Sequence, residues 1–119
     1  MSLVKPLQLI AHFTIHPGKT DEFKKIVSQC IEVVEAKEAG AGTLQYDWHF
    51  NADQSECKVI EAYRNSEAVL EHAANIGPYL GQFFEISTFS GEVFGPASES
   101  LKKALEGMDI KYYEFESGL

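Results

Sequence analysis

Apolar residues along the chain switch between a period of two and a period near 3.6, and the switches mark out strands and helices. In "LQLIAHFTIH" (Leu7 to His16), Leu9, Ala11, Phe13 and Ile15 alternate with Ile10, His12 and Thr14, the pattern of a strand. "PGKTDE" supplies a turn and then acidic residues suited to a helix start. Phe23, Ile26, Val27, Cys30, Val33 and Val34 recur at helical spacing, and the glycines of "EAGAG" predict a stop near Gly40. Alternation returns in "GTLQYDWHFN" (Gly42 to Asn51), with Leu44, Tyr46, Trp48 and Phe50 sharing one face. After the polar "ADQSE", "CKVIEAYR" (Cys57 to Arg64) reads as a third strand, in an antiparallel hairpin with the second.

Ser66 is placed to cap a helix over "EAVLEHAA". Gly77 and Pro78 interrupt the helical pattern, which predicts a second short helix from Pro78 carrying Leu80, Phe83 and Phe84. "EISTFSGEVFG" (Glu85 to Gly95) is a fourth strand, in which Gly91 marks a bulge or a close backbone approach. "SESLKKALEG" is a short amphipathic helix, and "IKYYEFE" (Ile110 to Glu116) a fifth strand. The order contains a split βαβ pattern, so the fold class is α+β: a ferredoxin-like antiparallel sheet with helices on one face. The whole of 1–119 reads as one domain, with 98–119 as a C-terminal helix–strand extension. The other face of the sheet keeps apolar residues such as Ile10, Ile60 and Ala62 with no helix left to cover them. Pairing of two sheets in a homodimer would cover them, with the "YYEF" tail reaching the partner's open edge.

Composition narrows the partners. Of 119 residues, 45% are hydrophobic and 24% charged, ordinary for a globular domain with a small core of its own. A formal charge of -8 without a basic stripe argues against nucleic acid and anionic membrane. The sequence shows no membrane-length apolar run and no secretory signal pattern, which points to a cytoplasmic protein. Cys30 and Cys57 each sit in an apolar periodic segment, which favours two buried free thiols over a disulfide.

The residue that draws chemical attention is His72. With Val69, Ala73 and Ile76 it forms one apolar helix face, and small neighbours leave room beside it. It is either a proton acceptor in a pocket or a buried neutral histidine held by a backbone carbonyl or a tyrosine hydroxyl. Tyr46, Trp48, Tyr63, Phe83 and Phe84 are candidate walls for an aromatic substrate, and equally candidates for plain core. His12 belongs to either the pocket face or the dimer face of its strand. Asp47 and His49 form a polar pair on one strand face, and Asn75 either orients a ligand or ends the helix. No dinucleotide fingerprint, P-loop, nucleophile elbow or metal-ligand spacing appears, so no cofactor and no metal are expected.

Taken together, "HFTIHPGKTDEF", "EAGAGTLQYDWHF", "VIEAYRNSEAVLEHAAN" and "EISTFSGEVFG" resemble the antibiotic biosynthesis monooxygenase (ABM) family across about residues 7 to 95. The resemblance implies a dimeric α/β barrel and cofactor-independent monooxygenation of a phenolic, quinol or polycyclic aromatic small molecule by molecular oxygen. His72 matches the family's helix histidine, the first choice for base or substrate partner. Tyr46 and Tyr63 match tyrosine or aromatic positions that would bind a substrate oxygen, with Trp48 as a wall. Haem-degrading relatives carry a tryptophan where this chain has Tyr63, and an asparagine in the first strand that it lacks. Isomerase-type relatives and a non-catalytic binding or structural barrel are the alternatives.

Overall fold

The computed structural model describes residues 5–119. Its elements are β1 (Leu7–Ile15), α1 (Thr20–Lys37), β2 (Thr43–Phe50), β3 (Glu56–Tyr63), α2 (Ser66–Ile86), β4 (Ser87–Phe94), α3 (Glu99–Ala104) and β5 (Ile110–Tyr113). The sheet order is β2-β3-β1-β4-β5. All pairings are antiparallel except β4 with β5, which is parallel. This is the expected ferredoxin-like arrangement, extended by one strand and open at both edges.

The two periodicities determine which side each residue takes. Phe13, Cys57, Val59, Phe89 and Val93 point to the helical side of the sheet, where α1 and α2 pack. Phe23, Ile26, Val27, Cys30 and Val34 are the buried stripe of α1. Each large side chain so buried, such as the fully buried Phe23, contributes about 1.5–3 kcal/mol relative to exposure. There are two apolar clusters, one around Phe13, Phe23 and Phe83, the other around Leu7, Tyr63, Val69 and Leu101. Both cysteines are free and buried, as expected.

Four local expectations are corrected. The cap of α2 is Asn65, whose side chain accepts from the Ala68 amide at 3.0 Å. Ser66 is the first helical residue, and its hydroxyl accepts from the Ser98 amide at 3.0 Å, tying the extension to α2. Helix α2 does not break at Gly77–Pro78 but runs on to Ile86. The carbonyl freed by the proline is that of Ala74, an exposed residue, so water can satisfy it. Burial of Val69 and His72 before them and of Phe83 and Ile86 after them offsets the roughly 3 kcal/mol cost of an internal proline.

The second strand does not present four apolar residues on one face. A bulge between Thr43 and Gln45 makes Leu44 the extra residue, and it is exposed. Thr43, opposite Tyr63, and Tyr46, opposite Glu61, therefore both turn inward, although they are three residues apart. Finally, the fifth strand ends at Tyr113 rather than Glu116, and it pairs in parallel with β4. Gly91 marks a close approach, not a bulge, because the β1–β4 register runs through it unbroken. A Cβ there would lie 3.1 Å from the Phe89 ring and 3.3 Å from Ile110.

Candidate active site

Between the two apolar clusters lies a cavity of about 90 Å³, walled by the sheet and α2. Tyr46, Trp48, Phe83 and His72 all line it, with Ala73 and Ile76 beside the histidine. The walls are flat and rigid. Trp48 stacks against Phe83 at 5.5 Å and Phe13 at 6.0 Å, and Tyr46 meets the His72 ring edge-on at 4.9 Å. The indole Nε1–H of Trp48 is sealed from solvent without a hydrogen-bond partner. On the β4–β5 side the wall is completed by Gly91, Glu92, Met108 and Ile110, so the C-terminal extension shapes the site.

His72 is buried, and neither a backbone carbonyl nor a tyrosine holds it. Its Nδ1 faces Glu38, at 2.9 Å from Oε1 and 3.2 Å from Oε2. Glu38 sits at the C-terminal cap of α1, almost wholly buried, in phase with Cys30 and Val34. It also accepts from the Thr43 hydroxyl at 2.6 Å and the Asn75 amide at 3.1 Å. Burial alone would raise the Glu38 pKa. The hydrogen bonds from His72, Thr43 and Asn75, with the imidazole's charge, outweigh it and hold the carboxyl below its ordinary range. In the neutral form of the ring, the ionised carboxylate makes Nδ1 the protonated nitrogen and leaves Nε2 free to accept a proton.

On the other side of the imidazole is a second carboxyl. Glu61 Oε1 lies 3.6 Å from His72 Nε2 and accepts the Tyr63 hydroxyl. Here burial dominates and raises the pKa, and the negative Glu38 adds to it. The imidazole and the Tyr63 hydrogen bond oppose the rise without reversing it. Burial, with Glu61 adjacent, likewise keeps the Tyr63 hydroxyl neutral far above its usual range. Tyr46 is raised as well, by burial and by the neighbouring Cys30 and carboxylates. Burial pushes the Cys30 thiol up to about 12, so it is inert as a nucleophile near neutrality.

The expected site residues thus separate by position. His72, Tyr46, Trp48 and Phe83 converge on the cavity. Tyr63 and Asn75 stand behind it, as donors to Glu61 and Glu38. Phe84 is exposed and packs on Phe89 instead. His12 is on the opposite face of the sheet, 2.7 Å from Glu56, and is not brought to the cavity. Asp47, whose partner is Gln45, shares that outward phase with His49.

Glu38 and Glu61 were missed by the pattern reading. The signal for Glu61 was present: a carboxylate in the inward phase of Cys57, Val59 and Tyr63. Glu38 continues the Val34 stripe by four residues, but it falls two residues before Gly40, where the helix is expected to stop.

The model of the family described as "Antibiotic biosynthesis monooxygenase" matches residues 6–84, well over half of the chain. The chain belongs to the antibiotic biosynthesis monooxygenase family. Membership supports an oxidoreductase-type activity in general terms. Among solved structures, MupZ from Pseudomonas fluorescens is similar, with TM-score 0.82 at 24% identity, covering 98% of this chain and 94% of that one. That overlap takes in α3 and β5. Rv0793 from Mycobacterium tuberculosis aligns with TM-score 0.67 and 26% identity over 80% of this chain and 98% of its own. SnoaB, a cofactor-independent oxygenase from Streptomyces nogalater, aligns with TM-score 0.65 at 16% identity over 80% and 96%. These likenesses are of fold. No curated protein matches the sequence significantly.

Proposed function

We propose that this ABM-family protein is a cofactor-independent monooxygenase of a small phenol or quinol. The observation that supports the reading is an aromatic-walled cavity lined by a buried histidine whose Nδ1 is held by a carboxylate. The volume, about 90 Å³, is below the roughly 300 Å³ at which pockets for drug-sized ligands begin. A cavity of roughly 150 Å³ already suits a lone benzene, so the volume favours a single aromatic ring over fused rings.

The chemistry needs little from the protein beyond position and proton transfer. His72 Nε2 takes the phenolic proton, and the ionised Glu38 behind Nδ1 stabilises the resulting imidazolium. The phenolate passes one electron to oxygen, and recombination of the pair forms a carbon–peroxide bond. Substrate is the reductant, so no reduced cofactor enters the balance. Tyr46, Trp48 and Phe83 hold the ring in place during the transfer.

The same reading includes a homodimer built on the helix-free face of the sheet. Ile60 and Tyr113 are exposed there, and Ile10 and Phe94 are half-buried. Sedimentation should give twice the chain mass of 13.3 kDa. The two reduced cysteines fit a cytoplasmic setting.

The decisive assay is oxygen uptake with a panel of mono- and bicyclic phenols and quinols, without added metal or flavin. His72→Ala should lower turnover by about 100-fold or more while circular dichroism and mass are retained. A folded His72→Ala protein with full activity would defeat the assignment. Ligand binding without oxygen uptake on any member of the panel would make the protein a binding module instead.

A further inference from the structure

Glu61 is the one buried ionisable group at the cavity that the deprotonation step leaves without a task. It lines the cavity, and its two oxygens are treated differently. Oε1 takes the Tyr63 hydroxyl and faces His72 Nε2 at 3.6 Å. Among the described residues Oε2 has no hydrogen-bond partner, yet it is not sealed from solvent. Among the described residues, Trp48 Nε1 is the sole side-chain atom both sealed and unpartnered. Glu61 and His72 both line the cavity and keep 8% and 5% of their side chains exposed. The titratable groups that face it are His72 from α2, Tyr63 from its own strand, Tyr46 from β2 and Glu38 from the end of α1, while β1 places the apolar Leu9 opposite it.

Forming a carbonyl from a carbon-bound peroxide requires a second proton movement. The substrate carbon carries one hydrogen and, after recombination, one peroxide. Its C–H proton is removed and the C–H electron pair becomes the second carbon–oxygen bond. The O–O bond breaks, and the distal oxygen leaves with two electrons. It must be protonated to depart as water. One molecule of phenol and one of oxygen thus give one carbonyl product and one water. The site needs a group that removes a proton and another, on the same side of the ring, that gives one.

We propose that Glu61 is a second catalytic residue, the acid that protonates the departing oxygen, working as a pair with His72. This rests on the oxygenase reading above. Burial keeps the carboxyl protonated to higher pH than an ordinary glutamate, as an acid here requires. The short gap to His72 Nε2 lets the proton collected from substrate pass to Glu61, so the pair resets without bulk water. Tyr63 is a positioning residue that fixes Oε1 and leaves Oε2 for the reaction.

The test uses 2-methylphenol, a single-ring phenol with a free para C–H, and follows oxygen, quinone product and hydrogen peroxide together. Glu61→Gln should lower the rate of quinone formation about 100-fold with little change in KM, and the oxygen it still consumes should appear as hydrogen peroxide. Glu61→Asp, which keeps a carboxyl, should recover a large part of the yield. In the parent protein, activity should be lost as pH rises through the elevated Glu61 value. Glu61→Gln lacks that limb. Tyr63→Phe removes a bond that favours the ionised carboxyl and should move the limb to higher pH, which keeps the proposal testable if Glu61→Gln does not fold. An active parent with Glu61→Gln equally active and equally coupled overturns the Glu61 role alone, as does an unmoved limb in Tyr63→Phe. A parent protein that consumes no oxygen with this or any phenol of the panel overturns the oxygenase reading, and this role with it.

Discussion

Replacing Glu38 by alanine tests whether the buried network is a support that holds His72 or an incidental contact. The carboxylate accepts from three side chains, His72, Thr43 and Asn75. At about 1.5–3 kcal/mol for a hydrogen bond to a charged group, their gross value is ~4.5–9 kcal/mol. Dehydrating the carboxylate costs several kcal/mol, which brings the net effect of breaking such a buried pair to about 3–5 kcal/mol. Unfolding entropy of about 2.1 cal/mol/K per residue over 119 residues gives ~0.25 kcal/mol/K, so Tm should fall by ~12–20 °C.

The loss should also depend on pH. The folded Glu38 pKa is below its unfolded value, so its contribution is present above the ordinary 4.5 and disappears as pH falls through the folded value. The gap between parent and Glu38→Ala should be wide near pH 7 and should narrow toward pH 3, on a scale of about 1.4 kcal/mol per unit of pKa difference. Urea unfolding followed by circular dichroism at both pH values measures it. A drop smaller than ~4 °C near neutrality, about 1 kcal/mol, would refute the claim that this carboxylate anchors the site.

Other outcomes follow from the same geometry. Glu61→Gln should stabilise the fold near neutral pH and leave it unchanged in acid. The raised native pKa means the ionised parent carboxyl loses stability as pH rises from the unfolded toward the folded value, a difference visible in parallel urea titrations. Gly42→Ala should destabilise by roughly 1–3 kcal/mol, because the new Cβ would overlap Ala68 Cβ, which cannot move aside; chemical denaturation reads it directly. Trp48 is the single tryptophan and stands in the cavity wall, so binding of phenol should change its emission saturably in the parent; a flat titration would place the ligand elsewhere. Asn65→Ala should cost about 1 kcal/mol by removing the cap of α2, without altering that emission.

The alternation and helical spacing of apolar residues were enough to place the sheet, two main helices and the hairpin, because those periods reflect backbone geometry that every neighbourhood shares. They also selected His72 with the right helix face, and Tyr46, Trp48 and Phe83 as companions. Local pattern failed where a distant partner outweighed a local preference. Pro78 should end a helix, but apolar contacts on both sides of it carry α2 through. Thr43 should point outward, but a one-residue bulge turns it to Glu38. The two carboxyls are far apart in sequence and come together only across His72, whose two ring nitrogens face one each. Their opposite pKa shifts arise from that meeting: one is given three donors, the other mostly burial. A sequence lists which groups can ionise; the surroundings that decide whether they do are made of residues far along the chain.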